Sequence, residues 1–167
     1  MLSTRLGSTI IITANTESQL RSRTWAELGK WMTLAINSHW WDKTATTIRP
    51  AKWFDEALKR DLKIDTGYYY AQAQLWSEEN PDAFAGIHSN YGVCLIMDEA
   101  SGIPAPIYSV SEGFFSEPTT DRYWFCFSNP RRNTGPFYDC FNSKRSYWKN
   151  LQICLLYTSP SPRDVEE

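Results

Sequence analysis

Two carboxylates, Asp98 and Glu99, directly follow the apolar run Val93–Met97. A short apolar run cut off by charge reads as a buried strand, so the pair stands at the strand's mouth. The chemistry open to it there is specific. The first carboxylate is a hard oxygen donor suited to a magnesium ion, usually through water. The second, one residue on, suits a general base that polarises an attacking water. A strand can equally end in two charges that do nothing. Two further polar clusters close apolar runs: Thr13 to Asn15 after Ser8–Ile12, and Ser128-Asn129 after Tyr123–Phe127. Ser-Asn-Pro is also an ordinary turn sequence.

The elements between these clusters alternate. Ser8–Ala14 is a β-branched strand. Thr16 with Gln19 is a capping-box pattern, predicting a helix to about Ile36 with Leu28, Trp31, Met32 and Ala35 on one stripe. His39 to Pro50 reads as polar and irregular. Trp53–Lys63 fits a short helix or a surface excursion, and Tyr68–Leu75 a strand. Asn80-Pro81 opens a short helix through Ala85. Pro104 to Gly113 and Pro136–Phe141 are helical, and Tyr147–Ile153 fits a further strand. Strands alternating with helices imply an α/β fold with a mainly parallel sheet flanked by helices. Ligands of such sheets bind at the carboxyl ends of the strands, where all three polar clusters fall.

Composition narrows the classes. The chain has 167 residues, about one domain, and 15% of them are aromatic, too much ring surface for a disordered segment. It has no apolar run long enough for a membrane span and no visible signal peptide. Net charge is -2, which gives no sign of nucleic-acid binding by bulk charge. The cysteines, Cys94, Cys126, Cys140 and Cys154, show neither CxxC nor His spacing, against a zinc site. They are too sparse for a disulfide scaffold, which favours a reducing compartment. Cys94 and Cys126 lie within apolar strands and read as core residues, as does the Trp-rich set. His39, beside Trp40 and Trp41, reads as structural, and His88 as a loop residue.

Four blocks of residues, taken in order, carry a resemblance. The first is Thr13-Ala14-Asn15-Thr16 with Gln19-Leu20, Trp25, Leu28 and Lys30-Trp31. The second is Trp76-Ser77-Glu78 with Asn80-Pro81 and Ala83-Phe84-Ala85-Gly86. The third is Asp98-Glu99-Ala100-Ser101. The fourth is Asn129-Pro130 with Arg132, Asn133-Thr134-Gly135 and Phe137. The third alone is the Walker B pattern of P-loop ATPases and is shared with many helicases; the second and fourth are more specific. Together, over about Ile10 to Phe141, they resemble the ATPase domain of tailed-phage terminase large subunits, the DNA-packaging motors.

The resemblance implies a partial P-loop NTPase fold of the additional-strand, RecA-like kind. It implies an ATP-driven translocase that packages viral double-stranded DNA into procapsids, with a nuclease domain of the RNase H type downstream. ATP and Mg²⁺ are the implied cofactors. Asp98 would hold the Mg²⁺ through water, and Glu99 would be the catalytic base. Ser128 and Asn129 fall at the coupling motif that senses the γ-phosphate. Asn15 lies in the strand-end motif near the nucleotide side, and Arg132 is a candidate phosphate or DNA contact, with Arg131 beside it as a solvated turn residue otherwise. Arg21 and Arg23 are candidates for an arginine finger that their spacing alone does not establish. The implied partners are the terminase small subunit, the portal protein and further copies in a ring, in the host cell cytoplasm.

The chain also departs from the pattern. It has no GxxxxGK followed by Ser or Thr, and Gly29-Lys30 lies within a predicted helix with no Gly-rich loop before it. The family's Walker A precedes the segment that resembles Met1–Ile12, so its absence reads as truncation, and the chain alone is expected to hydrolyse no ATP. Without that strand and helix, one side of the sheet should be uncovered. At the other end, Cys154–Asp164 (CLLYTSPSPRD) back-translates into a string that resembles the read-through of a transposase-based sequencing adapter. A Ser/Pro-rich tail is the competing reading. The expectation is therefore an ATPase-domain fragment over residues 1–153 and a non-native 154–167. Removing that segment's one arginine and three acids takes the net charge from -2 to 0. Two other identities stay open: a DExx helicase or remodeller, and a non-catalytic α/β scaffold whose Asp98-Glu99 is incidental. A Walker A sequence roughly 20 to 40 residues before Ile10, the span of a βαβ unit, would separate the motor from the scaffold.

Overall fold

The computed structural model describes residues 2–153 except 88, 117 and 120. His88 and the segment Cys154–Glu167 therefore lie outside the described residues. The described chain is α/β. A six-stranded mixed sheet has the order β2-β3-β4-β1-β5-β6. Its strands are β1 (Thr9–Ala14), β2 (Trp41–Lys43), β3 (Thr47–Pro50), β4 (Tyr70–Ala73), β5 (Val93–Asp98) and β6 (Arg122–Phe127). The run β4-β1-β5-β6 is parallel, and β3 and β2 extend it antiparallel on the β4 side.

β1 sits at the centre because it can be buried on both faces. All six residues are buried, and five of them, Thr9 to Thr13, are β-branched. Ile10, Ile12 and Ala14 face Leu20, Trp25, Ile48, Ala71 and Cys94. Ile11 faces the other way, into Leu95, Met97, Phe84, Ile107 and Phe114. The first face is covered by α1 (Glu17–Gln19), a π-helical stretch Leu20–Thr24 and α2 (Trp25–Leu34). The second is covered by a 3-10 turn Pro81–Phe84, α4 (Ala105–Glu112) and α5 (Pro136–Phe141), while α3 (Lys52–Asp61) flanks the antiparallel end.

Most predicted elements form, with instructive differences. Thr16 caps its helix by accepting from the Gln19 amide at 3.2 Å. The helix runs to Leu34 and is interrupted by the π-helical stretch, which lets both Leu20 and Trp25 reach the core. The stripe Leu28, Trp31, Met32 and Ala35 lines an apolar groove of about 340 Å³ over Ile10, Ile12 and Ile96, leaving Trp31 well exposed. The segment 41–50, expected to be irregular, is a β-hairpin: the Thr44 hydroxyl accepts the amides of Thr46 and Thr47 and closes its turn. The strand expected over Tyr147–Ile153 does not form; a 3-10 turn Arg145–Tyr147 precedes residues without regular structure. Trp148 packs its ring on Trp124 of β6 at 5.3 Å, and the segment adds no strand to the sheet.

β6 is the exposed edge of the parallel run. Tyr123, Phe125 and Phe127 stack along one face at 6.3 and 6.2 Å, and Phe125 and Phe127 are 43% and 58% exposed. Among the described residues its outer edge has no neighbour. No helix among them is long and apolar enough to cross a membrane.

Candidate functional site

The register of the parallel strands assembles the site. Ala14 pairs with Asp98, and Asp98 with Phe127, so three strands end level. One residue further on stand Asn15, Glu99 and Ser128, from clusters far apart in sequence. The three polar strand ends thus form one row at the carboxyl edge, the side of an α/β sheet where ligands bind.

Asp98 is held at both oxygens. Oδ1 accepts the Glu99 amide at 3.0 Å, and Oδ2 accepts the Thr24 hydroxyl at 2.6 Å. Thr24 is the last residue of the π-helical stretch, whose wider turn is sealed by the Trp25 amide bonding the Leu20 carbonyl. With Arg23, Glu27 and Lys30, Thr24 and Asp98 also line an open cavity of about 560 Å³. Lys30 is engaged there with Glu27 at 3.0 Å and lies within α2. Arg21 pairs instead with Glu17 at 2.7 Å.

Glu99 leaves the strand with φ 52 and ψ 42, a left-handed conformation that costs a non-glycine residue strain. Strain of this kind clusters at functional sites and persists where surrounding structure enforces it. Here the enforcement is visible. The Gly102 amide bonds the Glu99 carbonyl at 2.9 Å, and the Tyr108 hydroxyl, from α4, donates to the Ala100 carbonyl at 3.1 Å. The carboxylate's Oε2 is buried and accepts no hydrogen bond. Arg131 Nη2 stands 3.7 Å from it.

Ser128 is tied to the same turn. Its hydroxyl accepts the Ser101 amide at 3.2 Å and donates to the Ser101 hydroxyl at 2.7 Å. Asn15 packs against Gly102 so closely that a methyl group there would lie 2.5 Å from the Asn15 amide. Trp76, from the second sequence block, donates to the Ala14 carbonyl at 2.9 Å and pins the end of β1.

The structure therefore brings Asn15, Asp98, Glu99 and Ser128 together. Asn129 and Arg132 line a cavity of about 400 Å³ with Ser128, Phe137, Tyr138 and Phe141. Thr24 joins the site without having been singled out by sequence, and Arg131, read there as a solvated turn residue, faces Glu99. No local motif marks Thr24, since it reaches Asp98 across 74 positions. His39 stacks on Trp53 at 5.9 Å, and Cys94 is buried, as expected of structural residues.

A magnesium ion fits this donor set only in part. Among the described residues no three His, Cys, Asp or Glu side chains cluster. Asp98 and Glu99 supply hard oxygens, one of them without a hydrogen bond, and Mg²⁺ commonly takes one or two carboxylates and completes its shell with water and phosphate. Comparison with protein-family models, with curated proteins and with solved structures returned no match.

Proposed function

We propose that the chain is the part of a terminase large-subunit ATPase domain that carries its hydrolytic carboxylates. In the intact protein it would drive viral double-stranded DNA into a procapsid, working with the small subunit and portal as a ring of copies in the host cytoplasm. The observation that supports this best is the strand-end row. Asp98 and Glu99 end β5, and the serine ending the neighbouring β6 is hydrogen-bonded to the turn that carries Glu99. A coupling residue beside the catalytic strand needs that connection.

On this reading Asp98 would hold Mg²⁺, which when bound would neutralise charge on the transferring phosphate. Thr24 and the Glu99 amide fix the orientation of the Asp98 carboxylate. Glu99 is the base: its side chain is 26% exposed, so the carboxylate can meet water although Oε2 itself is buried. Ser128 transmits the state of the phosphate side to the Ala100–Gly102 turn through Ser101. The cradle for the phosphates belongs to a strand and helix outside these residues. The bare edge of β6, with Phe125 and Phe127 exposed, is where a further parallel strand and its helix fit.

The test is Mg²⁺-dependent, DNA-stimulated ATP hydrolysis by the intact protein of the parent genome. Glu99→Gln is expected to lower turnover by about 10²-fold or more, the usual weight of a general base. Residues 1–153 alone are expected to be inactive. Robust turnover by 1–153, or full activity in Glu99→Gln, overturns the proposal.

A further inference from the structure

We propose that Arg131 is a positioning residue for Glu99, linking the loop after β6 to the base at the end of β5. The inference rests on the ATPase reading above. A buried carboxylate oxygen that accepts no hydrogen bond is costly unless a charge compensates it. Glu99 Oε2 is such an atom, and Arg131 is the cation that faces it, at 3.7 Å. That separation is too long for a hydrogen bond, so the guanidinium compensates the charge without occupying the lone pair. The contact holds the carboxylate at Oε2 by charge and leaves the rest of a side chain that is 26% exposed open to water.

The two neighbouring arginines divide. Arg132 lines the cavity that Phe137 and Phe141 also line, whereas Arg131 faces Glu99. Only two residues separate Arg131 from Ser128, whose hydroxyl is bonded to Ser101. The loop therefore meets the Glu99 turn twice, once by hydrogen bonds and once by charge. A shift of the loop that leaves the Ser128 anchor in place changes the field at Glu99, which makes the loop a control on the base. Arg131 is itself 62% exposed and free to follow such a shift.

Two measurements test this. In the 167-residue chain, the side-chain ¹⁵Nε resonance of Arg131 should move on Glu99→Gln while that of Arg132 stays. In the intact protein, Arg131→Ala should lower kcat about tenfold with KM for ATP within about twofold, and Arg131→Lys should recover most of the loss, as expected when a charge acts on the base and not on nucleotide binding. If Glu99→Gln leaves turnover intact, the ATPase reading fails. If Glu99→Gln abolishes turnover but Arg131→Ala leaves kcat unchanged, or if the Arg131 resonance ignores Glu99→Gln, this inference fails.

Discussion

Replacing Thr24 by valine removes one hydroxyl and leaves the shape of the side chain nearly unchanged. In the structure that hydroxyl donates to Asp98 Oδ2 at 2.6 Å, joining the π-helical stretch to β5. A hydrogen bond to a charged group contributes about 1.5–3 kcal/mol, and both side chains here are only part-buried, so the lower end applies: about 1–1.5 kcal/mol. Part of that cost is the donor lost by a carboxylate oxygen, and part is the loosened end of the π-helical stretch. With a urea m-value of about 2 kcal/mol/M for a chain of this size, the midpoint should fall by about 0.5–0.75 M. Thr24→Ser keeps the donor and should stay within about 0.5 kcal/mol of the parent, since it loses one part-exposed methyl. The assay is equilibrium urea unfolding followed by tryptophan fluorescence, with Asp98→Asn as the other arm of a double-mutant cycle. The cycle should return a coupling of about 1 kcal/mol between Thr24 and Asp98. A midpoint for Thr24→Val within error of the parent, or a coupling of zero, would refute the reasoning that Thr24 holds Asp98.

Glu99→Gly relieves the left-handed backbone at φ 52 and should raise stability by about 1 kcal/mol in the same urea assay while destroying turnover in the intact protein; a loss of stability would show that the strain is not real. Asp55 carries a pH dependence: hydrogen bonds from Lys59 and then Thr66 lower its carboxyl below the ordinary 3.8, outweighing a small opposing effect of burial. A depressed carboxyl stabilises the fold above its unfolded pKa and loses that contribution as pH falls through the folded one. The stability gap between the parent and Asp55→Asn should therefore be present at pH 7 and shrink below about pH 4, and a gap independent of pH would count against the pairing.

How much of this was legible in the sequence depends on the range of the interaction. β1, β5 and β6 were readable because uninterrupted apolar runs ended by polar residues are the signature of central parallel strands. The helix after β1 was readable from Thr16 and Gln19, a local cap. The hairpin of β2 and β3 was not. Its strands have three and four residues, and Trp41, Asp42 and Lys43 show no alternation of apolar and polar positions. They are strands because β4 offers Ala71 and Gln72 a free antiparallel edge, which is tertiary context and not propensity. Conversely, Tyr147–Ile153 has strand-like residues but does not join the open edge of β6; Trp148 packs on the Trp124 ring of that strand instead.

The site divides along the same line. Asp98, Glu99, Ser128 and Asn15 announce themselves because each ends a strand, and parallel register makes strand ends neighbours. Thr24 and Arg131 do not end strands, so nothing periodic marks them. Thr24 enters only because the helix turns by a π step just before it, a property of the backbone between Leu20 and Trp25. An unbroken α-helix from Glu17 would rotate Thr24 by a fraction of a turn and carry its hydroxyl off the line to Asp98. Arg131 enters because Ser128 fixes the loop against Ser101, while its neighbour Arg132, identical in chemistry, lines the cavity beside Phe137. Residue type alone could not choose between the two arginines. The choice is made by where the loop is anchored, and that anchor is a hydrogen bond between serines 27 positions apart.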